Sequence, residues 1–487
     1  MLHLRGIGLP DEQPLELWVV DGLISFDPVA GAETVCSSGW IIPGLVDAHC
    51  HVGIVYGGGH EDEAGAVVQA ETERDVGVLL LRDAGSPIDT RFVDDRHDLP
   101  KIIRAGRHIA RTKRYIRNYA HEVEPEQLVS RVRAEARAGD GWVKLVGDWI
   151  DRGVGDLAPC WPREVLVEAI AAAHEEGARV TAHCFGEESL ADFAAAGTDC
   201  IEHATGLMPE TISAFADQGI AIVPTLVNIE TFPKIAAPAA EKFPDYHRHM
   251  LQLHERRFET IAAAHDAGID VFVGTDAGGS LPHGLVAQEM ELLTRAGFST
   301  REALAAGTWR SRDWLGHPAI AEGEDADLVV LADDPREDVR ACGVRDPLPG
   351  QPLEGAVAVE RIDRGRRAHG EFAVLLQHQT EEFGHLVRSR ELADENAALH
   401  LVFDDLETGG NVDDQCVDLT VGERVLGGVR RVELDRLQAG PQCFHNCRDT
   451  GGATLCTEAE AAEVGQGAGR CGFGACHRDH RLCHRVI

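Results

Sequence analysis

The chain has 487 residues, of which 44% are hydrophobic and 26% charged, enough for two or three domains around a large core and too polar for a membrane protein. With 81 acidic against 46 basic residues it should repel nucleic acid and anionic lipid, whose binding requires Lys and Arg on phosphates; a small-molecule substrate is the expected partner, with a homo-oligomer left open. The N-terminus lacks a leader pattern, no stretch approaches the ~18 apolar residues of a membrane span, and six of the 13 cysteines are scattered before residue 343 without framework spacing, so a cytoplasmic protein with reduced thiols is expected.

In chain order, LELWVVDGLISF (15–26) and ETVCSSGWIIPGLVDAHCH (33–51) read as strands of an N-terminal sheet, with Asp21-Gly22 as a hairpin turn. From about residue 64 the pattern changes to helix, glycine, short apolar strand, and it repeats. Four such units are the clearest: EVLVEAIAAAHEEG before ARVTAHC, ESLADFAAAG before TDCIEHA, PETISAFADQG before IAIVPTL, and ETIAAAHDAG before IDVFVGTDA. Repeated βα modules with right-handed crossovers place all strand C-termini on one face of a parallel α/β architecture. After two more helical stretches, DADLVVLA (325–332) and GAVAVERIDRGRRAHG (355–370) look like strands returning to the N-terminal sheet. The expected organisation is a small discontinuous β-sandwich from 1–46 with 318–371, a barrel over 47–317, and a separate tail over 372–487.

His49 and His51 in LVDAHCHVG are two apart, so on a strand both point to one face and can grip one cation. His183 and His203 each fall six residues after a helix-ending glycine, which predicts equivalent heights in successive strands. Asp276 in FVGTDAG supplies a carboxylate at the end of a later strand, where barrel enzymes put their catalytic groups. Singly, each has an ordinary structural explanation. Together, four histidines and an aspartate at C-terminal strand ends point to a metal centre.

The same residues resemble the amidohydrolase superfamily, in the branch with Xaa-Pro dipeptidase-like and imidazolonepropionase-like enzymes, over about residues 1–371. PGLVDAHCHVG resembles the opening metal motif, DVGVLLLRDAG (75–85) the next strand, and GTDAG the late aspartate, and Lys144 in GWVKLVG matches the lysine that such enzymes carboxylate. The resemblance implies a (β/α)8 TIM-type barrel and two divalent metals, zinc first, with manganese or nickel as alternatives. It implies that His49, His51 and Asp276 hold one metal and His183 and His203 the other, with a carbon-dioxide-derived carbamate on Lys144 and a hydroxide bridging them. Burial beside cations disfavours the ammonium form of such a lysine, and a carbamate is a bidentate oxygen ligand able to span two metals. Asp276 would shuttle the proton to the leaving group in hydrolysis of an amide, with a dipeptide or N-acyl amino acid as the expected substrate. Arg82, Tyr115 in the basic run RTKRY, and His283 are the candidates for binding it. Other readings are a lactonase or esterase, a one-metal deaminase, against which Lys144 argues, and a non-catalytic assembly protein that has lost its metals.

From about residue 372 there is no Lys, Trp, Tyr or Met, while seven of the 13 cysteines fall there. Cys443, His445, Cys447 and Cys456, then Cys471, Cys476, His477, His480, Cys483 and His484, suggest a structural zinc site, but their spacings repeat no finger or ribbon pattern. We expect an appended segment outside the catalytic unit, poorly ordered or produced by a shifted reading frame.

Overall fold

Strands Leu2–Gly8 (β1), Gln13–Val20 (β2), Leu23–Ser25 (β3), Glu33–Cys36 (β4) and Trp40–Pro43 (β5) build the N-terminal sheet. The turn between β2 and β3 follows its sequence: Asp21 (φ 52°) and Gly22 (φ 80°) both take the left-handed conformation of a two-residue hairpin, and Val20 faces Leu23. The computed structural model describes residues 1–55 and 59–343, and beyond them the backbone of strands at 357–358, 416–426, 429–440, 442–446 and 453–457.

After β5 the alternation of strand and helix sets in. Leu45–Val55 (β6), Gly59–His60 (β7), Glu63–Asp75 (α1), Val78–Asp83 (β8), Lys101–Arg104 (β9), Ile109–Arg111 (β10) and His121–Val123 (β11) lead to Pro125–Ala138 (α2) and Trp142–Val146 (β12). A hairpin, Asp148–Asp151 (β13) with Asp156–Pro159 (β14), precedes Arg163–Glu175 (α3) and Arg179–Cys184 (β15). Glu187–Ala196 (α4), Cys200–His203 (β16), Pro209–Gln218 (α5) and Ala221–Val223 (β17) continue the series. The remainder holds Leu226–Ile229 (α6), Phe232–Ala236 (α7), Pro244–Glu255 (α8), Arg257–Asp266 (α9), Ala277–Gly279 (β18), Val286–Arg295 (α10), Thr300–Ala306 (α11) and Trp309–Leu315 (α12). Local chemistry sets these limits. Helices α4 and α5 stop at Gly197 and Gly219, both left-handed, and α11 starts with a capping box in which Ser299 and Glu302 satisfy each other's backbone N–H.

The strands of the alternating part pair in parallel. One sheet runs β18-β6-β8-β9, with β7 antiparallel on β6, and another runs β11-β10-β12-β15-β16-β17. Backbone bonds connect them at both borders. Asp140 N–H, just before β12, donates to the Arg104 carbonyl of β9 at 2.7 Å, and Phe272 N–H donates to Ile222 of β17 at 3.0 Å. Ala48 of β6 in turn donates to Val273 at 2.8 Å. Side chains from β6, β8, β9, β12, β16, β17 and the 270–273 segment meet in one buried cluster that includes Val46, Leu80, Ile103, Trp142, Cys200, Val223 and Phe272. The helices cover the other faces through a second, larger cluster.

Leu328–Leu331 (β19) returns to the N-terminal sheet, antiparallel to β5, and Val357–Ala358 (β20) pairs with it, giving one seven-stranded sheet drawn from both ends of residues 1–358. The expected return of DADLVVLA is therefore seen, and most of 355–370 lies outside the described residues. The chain divides into two units, 1–377 and 378–487. In the second, Cys416–Leu426 pairs antiparallel with Val429–Gly440, and Gln442–Asn446 with Ala453–Thr457. The side chains of the tail cysteines and histidines, weighed above as a zinc site, lie outside the described residues. Cys36, Cys50, Cys160, Cys184, Cys200 and Cys342 are all buried free thiols, as expected, and no helix of the described residues is long and apolar enough to cross a membrane.

Helix α8 clamps the β13-β14 hairpin onto α4. His249 reaches Asp156 Oδ1 through Nδ1 (3.0 Å) and Glu187 Oε2 through Nε2 (2.9 Å), and Arg256 also contacts Glu187. The hydrogen bond to Glu187, opposed by partial burial and helped by Asp156, holds the His249 pKa up to about 9. A histidine raised above its unfolded value near 6.5 stabilises the fold fully below that value and loses the contribution as pH rises towards 9. The thermal midpoint of the wild type should therefore fall between pH 6.5 and about 9, and the fall should flatten in His249→Gln. Equal slopes in the two proteins would show that the clamp does not titrate.

Candidate active site

The site lies where parallel strands end, and three backbone irregularities aim its side chains. On β6 the register against β8 shifts between Asp47 and Cys50. Across this irregular stretch Val46 and Ala48 enter the interior cluster, while His49 and His51 turn to the site. On β16 simple alternation would bring Glu202 inward and send His203 outward, but His203 has φ 67° and swings back. Asp276 is likewise left-handed, at φ 60°. Such conformations in non-glycine residues cost roughly 1–3 kcal/mol each and persist where surrounding contacts impose them. Here Asp47 supplies some of those contacts: its carboxylate accepts from His49 N–H and Thr275 N–H, both at 3.1 Å, and from the Thr275 hydroxyl at 2.5 Å. Burial, reinforced by Glu73, pushes the Asp47 pKa up to about 7.

Three donor atoms converge. His49 Nε2 and His51 Nε2 are 3.3 Å apart, and Asp276 Oδ1 lies 2.9 Å from the first and 3.0 Å from the second. The remaining nitrogen of His51 is tied to the Gly85 carbonyl at 2.8 Å, which fixes the ring with Nε2 towards the cluster. His203 is oriented in the same way, its Nδ1 2.7 Å from Thr225 Oγ1, and His49, His203 and Asp276 form a group able to share an ion. His183 packs 4.7 Å from His203, ring to ring, and its Nε2 points to Asp148 Oδ1 at 3.9 Å without a hydrogen bond. Two glycines let the backbone close on this cluster: a Cβ on Gly274 would meet the His49 backbone at 2.7 Å, and one on Gly278 the His51 carbonyl at 2.3 Å.

Protonation states suit a cation. Burial first, then Lys144, pulls the His49 pKa down to about 4, and burial also lowers His51, His183 and His203. Burial alone would raise the Asp276 carboxyl, but His49, His51 and His203 outweigh it and hold it well below the usual range. Neutral imidazoles around an ionised carboxylate are the donor forms that a divalent metal requires. Nitrogen and oxygen donors about 3 Å apart can all reach one ion at the ~2.0–2.2 Å of zinc coordination. The residues present therefore fit a metal.

Lys144 is buried at the centre of β12, and burial pulls its pKa down to about 7. Its Nζ contacts the carboxylate of Glu202, a residue that sequence reasoning passed over. Glu202 is wholly buried; it accepts from the Thr181 hydroxyl at 2.8 Å, lies 3.5 Å from the Arg82 guanidinium, and stands 3.2 Å from His49 Nδ1. An ionisable residue in the apolar strand CIEH was the available signal, since buried charge is costly unless paired. His108 was also missed. Its ring is fully buried 4.9 Å from that of His51, and neither nitrogen has a hydrogen-bond partner among the described residues.

The three expected substrate-binding residues separate. Tyr115 belongs to the site, packed on Trp149, His183 and His108, and with Phe185 these rings form an aromatic wall beside the histidines. Arg82 instead is buried among the strands, donating to the Ala48 carbonyl at 2.6 Å with its guanidinium over Trp142. His283 faces Glu73 of α1 at 2.9 Å. Within the basic run, Arg114 is bound to Asp151 and to the carbonyls of Trp149 and Ala158.

Comparison with known proteins now decides the family. A model of the "Amidohydrolase family" matches residues 150–349, and an uncharacterized protein of Mycobacterium tuberculosis is 57% identical over 338 residues, spanning 69% of this chain and 90% of that protein. The chain belongs to the amidohydrolase family. Ochratoxinase of Aspergillus niger is 25% identical to this amidohydrolase over 223 residues, 44% of the chain and 45% of the enzyme. A solved Xaa-Pro dipeptidase with bound methionine in its active site matches it with a TM-score of 0.59 at 21% identity, over 70% of the chain and 95% of the dipeptidase. The structure of ochratoxinase matches with a TM-score of 0.58 at 18% identity, over 70% and 93%. These likenesses give the amidohydrolase a TIM-barrel-like α/β fold.

Proposed function

We propose that this amidohydrolase cleaves an amide or peptide-like C–N bond at a centre of two divalent metal ions. The observation that carries the reading is the convergence of His49 Nε2, His51 Nε2 and Asp276 Oδ1 within 3.3 Å of one another. These three would hold one ion, and His183 and His203 the other, with Lys144 bridging as its carbamate; zinc is the first candidate, before manganese or nickel. A Lys144 amine with its pKa at about 7 is part neutral at physiological pH, the form able to add carbon dioxide. The bonds from β9 to β12, from β17 to 270–273 and from 270–273 to β6 support a closed (β/α)8 barrel over 47–317, with 1–46 and 318–371 as its flanking sandwich and 372–487 as a tail.

When bound, the metals would supply Lewis acidity towards the substrate carbonyl and lower the pKa of water. The chain does the rest. Oδ1 of Asp276 is engaged by both histidines, so its other carboxylate oxygen is the one to take a proton from the attacking water and pass it to the leaving nitrogen. Tyr115, Trp149 and Phe185 offer an apolar wall for the side chain of a dipeptide or N-acyl amino acid. We infer a cytoplasmic enzyme acting on a small molecule.

Amine release across a panel of dipeptides and N-acyl amino acids tests this. Activity that disappears on chelation and returns with zinc is the expected result. Turnover untouched by chelation would overturn the metal mechanism, and ammonia release from an exocyclic amino group, with no amide cleaved, would move the reading to a one-metal deaminase.

A further inference from the structure

We propose that Glu202 is the positioning residue that ties the two halves of the metal centre together, orienting His49 from one side and the Lys144 nitrogen from the other. The inference rests on the carbamate reading of Lys144 given above. Glu202 has no exposed surface, and its two oxygens divide their work. Oε2 meets Lys144 Nζ, while Oε1 accepts from the Thr181 hydroxyl at 2.8 Å, stands 3.5 Å from Arg82, and lies 3.2 Å from His49 Nδ1, close enough for an ion pair but not aligned as a hydrogen bond. The opposite nitrogen of His49 is the one that joins His51 and Asp276. A carboxylate behind an imidazole fixes its tautomer and strengthens the nitrogen that faces a metal.

The same carboxylate suits a modified lysine. Forming the carbamate makes one bond from Nζ to the carbon of carbon dioxide and releases two protons from the ammonium to solvent. The nitrogen keeps a single N–H. With Glu202 Oε2 as acceptor of that N–H, the new carboxylate is directed away from Glu202, towards the histidines and Asp276. Arg82 offsets the charge of Glu202, so an anionic carbamate can form beside it. Glutamine cannot replace this residue, because an amide presents one acceptor and one donor where two acceptors are needed.

The test is full-length protein loaded with zinc in 13C-bicarbonate, followed by carbon NMR for the carbamate and by zinc affinity in a metal buffer. Wild type should show one carbamate resonance. Glu202→Gln should keep its far-UV circular dichroism, lose most of the resonance and bind zinc 10–100-fold more weakly, the usual effect of removing such a partner. Unchanged resonance and affinity in Glu202→Gln would overturn the proposal. Absence of the resonance in wild type would overturn it together with the carbamate reading, whereas zinc-dependent amide hydrolysis would still stand on its own test. If Glu202→Gln does not fold, Thr181→Val removes only the hydroxyl that holds Glu202. It should weaken zinc binding several-fold and reduce the resonance, and no change in either would reject the role.

Discussion

Asp276→Asn should lower kcat on any amide that the wild type cleaves by at least about 10³-fold, since it removes both an anionic metal donor and the proton carrier, and proton transfer alone contributes roughly 10²–10⁴. The fold should survive. Asp276 sits at φ 60°, and asparagine is one of the few residues that enters this region with little strain. The side chain keeps one oxygen facing His49 Nε2 and His51 Nε2, and Thr275 remains anchored to Asp47 at 2.5 Å. A variant with near-native kcat would remove Asp276 from the mechanism. A variant that unfolds would instead show that the charge of Asp276 is needed to hold the histidines.

Arg82→Leu should destabilise the protein by about 3–5 kcal/mol, the typical loss when one partner of a buried ion pair is removed. Arg82 is wholly buried, its guanidinium within 5.2 Å of the ring centres of Trp142 and Trp314, and it offsets the charge of Glu202. Leucine fills much of the volume but leaves the Ala48 carbonyl without its 2.6 Å donor and Glu202 without the guanidinium that offsets its charge. Denaturant unfolding measures the loss. A change below about 1 kcal/mol would mean that the cation–π stack and the ion pair contribute little beyond packing. Had Arg82 been the holder of a substrate carboxylate, the same substitution would raise KM with little effect on stability. Its burial beneath the histidines favours the structural outcome.

Much of the site was legible because its signals are local. The glycine-to-histidine intervals before His183 and His203 mark strand ends, the His49–His51 spacing marks the middle of β6, and the Gly-Thr-Asp run, expected to end a strand, instead lies between an isolated bridge at Val271 and the start of β18. The geometry was less legible. Equal spacing from glycine suggested equal heights for His183 and His203, yet in the parallel register His183 faces Glu202 and His203 faces Cys184. The one-residue offset is made good by the left-handed backbone at His203, and no propensity announces φ 67° in a histidine. The register shift in β6 was hidden for the same reason: alternation cannot show where a strand slips. His108 and Tyr115 come from the two connections flanking β10, whose paths are set by tertiary contacts, and only the fold shows that both lie on the histidines. Arg82 misled because an arginine at a strand end resembles a ligand holder, while its partners, Glu202 and two tryptophans, are distant in sequence.

Metal content per chain is the most direct test of the central claim. Full-length protein prepared with zinc and bicarbonate should carry close to two equivalents by inductively coupled plasma mass spectrometry, and Lys144→Ala should carry about one or fewer. No bound metal in the wild type, or a content indifferent to Lys144, would contradict the binuclear centre.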